Sequence, residues 1–379
     1  MGNPQKLTTR VYRSIAEIDP REWNSIFPRI AEGYYFFKTA DESLRGQFKP
    51  YYIALYESSQ LVCIAPCFIM DYPLDTTIEG FLKKAASWLV DRLPKLFILR
   101  TLVCGSQAAE GRIGASDLTR SDMALTLVEA MDAIAKNEHA KLVAFKDFSD
   151  DYSQFFRILM KHGFHRMQSY PSVELEICFS SFEEYLSSLS RPTRKNLKKK
   201  FRQLETLPPI EMEVRSELGE LLDQAYTLYL STLEKSQVQF EHLTKEFFEN
   251  ISLNMPSETR YFLWRINGKL VAFDLCLVSN GTLVDEYIGM DYSVAYTYHL
   301  YYLTFRDIVK WCIEHGIKKY ESGALNYDPK KRLDFKFIPE YIYARHPNNV
   351  MNLLWGILFF FLKPENFDPV LKALKKEKG

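Results

Sequence analysis

YFLWRI (Tyr261 to Ile266), Asn267-Gly268, KLVAFDLCLV (Lys269 to Val278), Ser279-Asn280-Gly281 and TLVDEYIGMD (Thr282 to Asp291) follow one another without a break. The three long runs are β-prone, and each junction carries an Asn-Gly pair. Both central positions of a tight hairpin turn need φ > 0, which Asn and Gly accept at little cost. The stretch therefore predicts a three-strand antiparallel meander. Working outward, Val294 to His315 has Leu300, Tyr301, Thr304, Ile308 and Cys312 near one helical face, and Gly316 ends it. IKKYES (Ile317 to Ser322) then reads as a strand. Upstream lie a strand (Ile210 to Val214) and two helices (Glu217 to Lys235, Thr244 to Asn254).

The N-terminal half repeats this order more loosely. TRVYRS (Thr9 to Ser14) reads as a strand, and Pro20 to Phe27 and Ala40 to Arg45 as helices. YYIALYESSQLVCIAPCFIM (Tyr51 to Met70) reads as a hairpin turning at Ser58-Ser59-Gln60, and LRTLVCG (Leu99 to Gly105) as a third strand. A helix (Asp122 to Glu138) and a strand (Lys141 to Phe148) complete the set. An amphipathic insertion, residues 78–97, interrupts it. The repeat predicts an α/β chain of two tandem duplicated domains with mixed central sheets, residues 1–178 and 179–347. An apolar, then basic, helical tail follows over 348–379.

The chain has 379 residues, enough for two to three domains. Its 48 basic and 48 acidic residues give no net charge, which excludes a protein basic all over and so argues against DNA as a partner. The six cysteines are thinly spread. Cys63 and Cys67 are the one close pair, with no further ligand at zinc spacing, so buried thiols and no metal site are expected. The first ten residues hold no apolar run of the secretory kind, which predicts a cytoplasmic chain.

Three segments have the composition of a site. In RPTRKNLKKKFRQLE (Arg191 to Glu205), Ser190 precedes the run as an N-cap and seven cations appear before the first acid. Lys195, Lys198, Lys199 and Arg202 share one helical face, and like charges so close call for a phosphate or another anion. Arg194 belongs to the same run. In VDEYIGMDY (Val284 to Tyr292), strict alternation places Asp285 and Tyr287 on one face and Glu286 on the other. Glu286 is a candidate general base. In YESGALNYDPKKRLDFKFIP (Tyr320 to Pro339), Glu321 stands at a strand end before Gly323, a second candidate base, while Lys330 and Lys331 are candidates for holding phosphate. His299 is a third acid/base candidate. Val350 to Leu362 contains only Asn352 as a polar residue. Its 13 residues would span about 20 Å as a helix, short of the roughly 30 Å of a bilayer core. With the lysines of VLKALKKEKG (Val370 to Gly379) behind it, the segment has the character of an interfacial anchor at a membrane surface. FLKKAASWLVDRLPKLF (Phe81 to Phe97) is similar.

Strand, two helices, three-strand meander, helix and strand is the order of the GNAT acyltransferases. The duplicated arrangement resembles the Fem-type peptidoglycan aminoacyltransferases and, still more, the GNAT-like peptidoglycan biosynthesis/recognition and BioF2-like acetyltransferase proteins. SRPTRKNLKKKFRQLE, DEYIGMDY, HGIKKYESGALNYDPKK and LVCGSQAAEGRIG (Leu102 to Gly114) carry the resemblance, over most of residues 10 to 347. It implies an N-acyltransferase. An activated acyl donor, as acyl-CoA or acyl carrier protein, would serve as co-substrate with no tightly bound cofactor. The acceptor would be an amine of a lipid or peptidoglycan precursor at the cytoplasmic membrane surface. DYSVAYTYHLYYL has no glycine where GNAT enzymes cradle CoA pyrophosphate. Fem-type enzymes lack that loop too, and the resemblance to them implies aminoacyl-tRNA as the donor. A non-catalytic module binding an envelope ligand through the basic helix is the alternative.

Overall fold

A computed structural model of the protein describes residues 7–73, 98–236, 240–361 and 363–378. The insertion expected at 78–97 lies outside them. Fifteen strands are described: β1 (Thr8–Tyr12), β2 (Lys49–Glu57), β3 (Gln60–Pro73), β4 (Ile98–Cys104), β5 (Gly114–Ala115), β6 (Leu142–Ser149), β7 (His165–Gln168), β8 (Ser172–Glu176), β9 (Ile210–Arg215), β10 (Thr259–Ile266), β11 (Lys269–Ser279), β12 (Thr282–Met290), β13 (Lys319–Ser322), β14 (Lys336–Ile338) and β15 (Glu340–Arg345). The meander forms as read. Asn267 (φ 49°), Gly268 (78°), Asn280 (51°) and Gly281 (76°) all take the left-handed conformation that tight hairpins demand.

The strands make two sheets of the same plan. The first runs β1-β2-β3-β4-β6-β15-β7, with β5 paired to β3, and the second runs β9-β10-β11-β12-β13-β8-β14. In each, antiparallel neighbours give way to one parallel pair, β4 with β6 and β12 with β13. The next position is filled by exchange: β15, from the end of the chain, sits beside β6, and β8, from the first half, sits beside β13. The chain accordingly divides into residues 1–170 with 339–379, and residues 171–338. The boundary expected at 178/179 falls eight residues earlier by the sequence numbering, and 339–347 and the tail belong to the first unit. The reason is pairing across long sequence separation. Tyr343 of β15 stacks on Phe156 with ring centroids 3.7 Å apart, and Ala344 is buried between strands of the first sheet.

Each sheet is covered by the helices its own unit supplies. In the first unit, Ser121–Asn137 buries Met123, Leu127, Val128, Met131 and Ile134 against one face of the sheet. On the other face Trp23 gathers Phe27, Phe37 and Tyr52. Glu138 ends the Ser121–Asn137 helix and accepts from Lys49 Nζ (2.6 Å), Arg100 Nη2 (3.1 Å) and the Tyr51 hydroxyl. Burial alone would raise its pKa, but these donors outweigh it and hold the carboxyl at about 2. A depressed carboxyl contributes stability above its ordinary value of 4.5 and loses it as pH falls toward 2. Urea unfolding of wild type should therefore weaken by about 2 kcal/mol across that window, and Glu138→Gln should lack this loss. An unchanged acid limb in the variant would reject the assignment.

In the second unit, Leu222–Leu233 and Lys245–Asn254 cover the face of the sheet bearing Tyr261, Phe273 and Tyr287. Leu300–Glu314 covers the other face, with Trp264 Nε1 donating to Asp307 (3.0 Å) and Phe305 stacked on Tyr320. The helix expected over Val294 to His315 is two pieces, Tyr292–Ala295 and Leu300–Glu314, separated by His299 at φ 48°.

Candidate active site

Strands β12 and β13 run parallel through four register pairs, the last being Asp285 with Ser322. There β13 ends, while β12 runs on to Met290. Backbone groups on the sides of two diverging strands are no longer committed to each other, so this is where a sheet can offer polar groups to a ligand. The register of β11 with β12 slips between Leu275 and Cys276, setting Asp285 opposite Cys276 and Tyr287 opposite Leu275. A bulge of one residue shifts the alternation by one. Asp285 and Tyr287 therefore point to opposite faces, contrary to the strict alternation expected from sequence.

On the face covered by Leu300–Glu314, that bulge assembles a polar cluster. Asp285 Oδ2 accepts from the Tyr320 hydroxyl (2.7 Å) and the Ser322 hydroxyl (3.3 Å). Donor atoms of Asp274, Cys276 and Asp285 lie within 4.8 Å of one another. Asp274 is buried on the central strand β11, and its carboxyl is pushed well above the usual range, first by burial and then by the adjacent Asp285 charge. Lys330 is also buried. Its ammonium donates to the Gly323 carbonyl (2.7 Å), and burial lowers its pKa to about 8 against the attraction of Asp285 and Asp274. Burial pushes the Tyr301 hydroxyl up, and the charges of Asp285 and Asp274 add to that. The buried Lys330 ammonium beside these two carboxyls offsets charge that would otherwise be buried without a partner. Asp274, Cys276 and Asp285 are the donors a cation would use. A divalent ion there would meet the charge of the buried Lys330 ammonium, which acts on the same two carboxyls.

The predicted residues divide among several places. Glu286 is half-buried next to Asp285, and its charge acts on both Cys276 and Tyr287. Glu321 points to the other face of β13 from Tyr320, where it pairs with Lys319 (3.1 Å) in a row continued by Glu174 and Lys336. Lys330 belongs to the acid cluster and not to an open phosphate site, and Lys331 is exposed.

The basic run is a helix, Arg191–Leu204, capped by Ser190 as expected. Lys195, Lys198, Lys199 and Arg202 are exposed, while Arg194 turns back to cap the carbonyls of Ser187 and Leu189 (2.9 and 3.2 Å). Lys200 Nζ approaches His299 Nδ1 (3.4 Å) and lies over the Tyr302 ring, and Gln203 Oε1 is 2.9 Å from His299 Nε2. These partners assign a neutral imidazole that donates through Nε2 and accepts at Nδ1. Burial and the Lys200 charge both lower its pKa, in keeping with that. Tyr302, beneath Lys200, and Tyr301, whose hydroxyl feels the charges of Asp285 and Asp274, are neighbours on one helix.

Asp274, Asp285, Tyr320 and Cys276 were not singled out as site residues from sequence. The available signal was Asp274 itself, a lone acid inside LVAFDLCLV, where burial is costly without a partner. The equivalent position in the first sheet is apolar. There the parallel pair ends at Cys104 with Phe145, and Cys104 lies opposite Cys67. Phe145 is packed among Phe148, Phe155, Phe156 and Phe164. Between the two repeats, the second carries the polar chemistry at this position.

Comparison with known proteins agrees with this architecture. The chain resembles FemX over 92% of its length and 99% of that chain (TM-score 0.57, 13% identity). It resembles the C-terminal domain of a provisionally named lysylphosphatidylglycerol synthetase from Agrobacterium fabrum over 92% and 98% (TM-score 0.54, 14% identity). A tandem GNAT protein of the clavulanic acid biosynthesis pathway is similar over 90% and 99% (TM-score 0.53, 8% identity). At these identities the likeness is one of fold, and it establishes the duplicated GNAT-like architecture. In sequence, 323 residues are 25% identical to a Mycobacterium tuberculosis protein provisionally named 8-amino-7-oxononanoate synthase 2. The chain spans 42% of the length of that relative, and the match takes in 83% of the chain. Residues 14–347, nearly the whole of both repeats, match the FemAB-like model described as peptidoglycan biosynthesis/recognition, and the chain belongs to that family.

Proposed function

We propose that the protein is a transferase that moves an acyl or aminoacyl group from an activated carrier to an amine on a lipid or cell-envelope precursor, acting at the cytoplasmic face of the membrane. Family membership and the fold support a transferase of envelope precursors. The observation that carries the chemistry is the half-buried Asp285, held as a hydrogen-bond acceptor where β13 ends and β12 runs on. The acceptor arrives as an ammonium and must lose a proton before its nitrogen can attack. Asp285 takes that proton. That first proton passes on to solvent; the amine nitrogen bonds to the acyl carbon, the carbon–sulfur or carbon–oxygen bond to the carrier breaks, and the second proton shed by that nitrogen passes through Asp285 to the departing thiolate or alkoxide. Asp274, whose carboxyl burial pushes well above the usual range, and the buried Lys330 ammonium flank Asp285. Glu286 is the second candidate base. The exposed face of Lys195, Lys198, Lys199 and Arg202 draws in the phosphates that acyl-CoA, acyl carrier protein and tRNA all carry.

Envelope lipids and peptidoglycan precursors, compared by mass spectrometry in cells with and without the protein, test this reading. A new amide on one of those amines is the expected result, and its mass identifies the group transferred. Identical profiles, together with no thermal protection by long-chain acyl-CoA or charged tRNA, would replace the enzyme with a binding module.

A further inference from the structure

The tail of the chain carries a surface that the transfer chemistry does not use. Asn349–Phe361 is a helix with two different faces. Asn352, Trp355, Gly356 and Phe359 face its own unit. Trp355 and Phe359 are buried with Leu99, Leu142, Ala144 and Ala344. Asn352 donates to the Gly163 carbonyl (2.9 Å), and Gly356 lies so close to the His165 ring that an added Cβ would be 2.7 Å from it. The opposite stripe repeats at i, i+3, i+4 and i+7 and is apolar throughout: Val350 is 69% exposed, Leu353 64%, Leu354 52% and Ile357 54%. Packing at Trp355 and Phe359 fixes this orientation, so the aliphatic side chains cannot turn inward. The next helix, Pro369–Lys378, presents Lys372 and Lys376 to solvent.

We infer that this stripe is a seat for an anionic bilayer surface. Four large aliphatic side chains in a continuous row, followed by exposed lysines, match the acyl boundary and the phosphate layer of such a membrane. Among the described residues no helix is long and apolar enough to cross a membrane, so the contact lies in the interface plane. In giving a lipid-borne acceptor a place to be met, the inference rests on the function proposed above. The test does not depend on that function.

The full chain is mixed with vesicles of phosphatidylglycerol and phosphatidylethanolamine, or of phosphatidylcholine alone, and sedimented. Binding is expected to the first, weakening with salt. Leu353→Glu/Ile357→Glu should weaken it at least about tenfold with an unchanged circular dichroism spectrum, because the affinity scales with apolar area buried. Lys372→Glu/Lys376→Glu should weaken binding and flatten its salt dependence. Wild-type protein that ignores anionic vesicles overturns the inference. So does self-association without lipid that Leu353→Glu/Ile357→Glu abolishes, which would make a second copy the occupant. If removing residues 74–97 is needed before vesicles bind, that segment covers the stripe and the inference fails. Envelope products that depend on the protein, seen alongside a failed vesicle assay, would leave the transferase reading in place.

Discussion

Asp285→Asn is expected to reduce formation of the envelope amide by roughly 10²- to 10⁴-fold, the range for loss of a positioned general base. The amide retains the shape and can still accept from Tyr320 and Ser322, whose hydroxyls lie at 2.7 and 3.3 Å. Folding should therefore survive, and the loss should appear in rate. Two companions make the result specific. Asp274→Asn should keep most activity, since burial already pushes that carboxyl well above the usual range and an amide resembles its neutral form. Glu321→Gln should remain near wild type, because Glu321 pairs with Lys319 on the opposite face of β13. Product is quantified by mass spectrometry from cells carrying each variant at matched protein levels. Full activity in Asp285→Asn would remove this carboxylate from the mechanism and pass the role to Glu286.

Gly289→Val should lower stability by about 1–3 kcal/mol through overpacking, and activity with it. A Cβ at Gly289 would lie 2.7 Å from Tyr229 N and 2.8 Å from the carbonyl carbon of Leu228, both backbone atoms of the Leu222–Leu233 helix, and 2.4 Å from Phe273 Cε1. A phenyl edge can swing away, but a helix backbone moves only with the helix. That helix also packs Tyr229 against Tyr287, two residues after Asp285, so its displacement would disturb the bulge that aims the carboxylate. Gly323→Ala, with no atom within 4 Å of its added methyl, should stay within roughly 0.5 kcal/mol of wild type. Urea unfolding separates the two, and equal midpoints for both variants would show that the helix does not press on Gly289.

The meander, the duplicated order and the capped basic helix were legible because each depends on local rules. Asn-Gly sets a turn, apolar spacing sets a helix face, and Ser190 with Pro192 sets a helix start. In DEYIGMD, with Glu286 as the candidate base, the sequence read strict alternation from Asp285 to Tyr287, and alternation is what the bulge between Leu275 and Cys276 breaks. Lys330 was marked as a cation for phosphate. Its burial came from the loop after β13 folding back to the Gly323 carbonyl, which spacing does not encode.

Short-range pattern alone determined that this chain builds two similar sheets with helical cover and places a dense cationic helix before the second. Folding in three dimensions decided which strand completes each sheet. β8 and β15 exchange units because a sheet edge accepts any strand whose pleat and apolar face match, regardless of distance along the chain. It also decided that two acids on neighbouring strands lie together beside a buried ammonium. A charge acquires its role from the dielectric and the partners around it, and both exist only once the strands are paired.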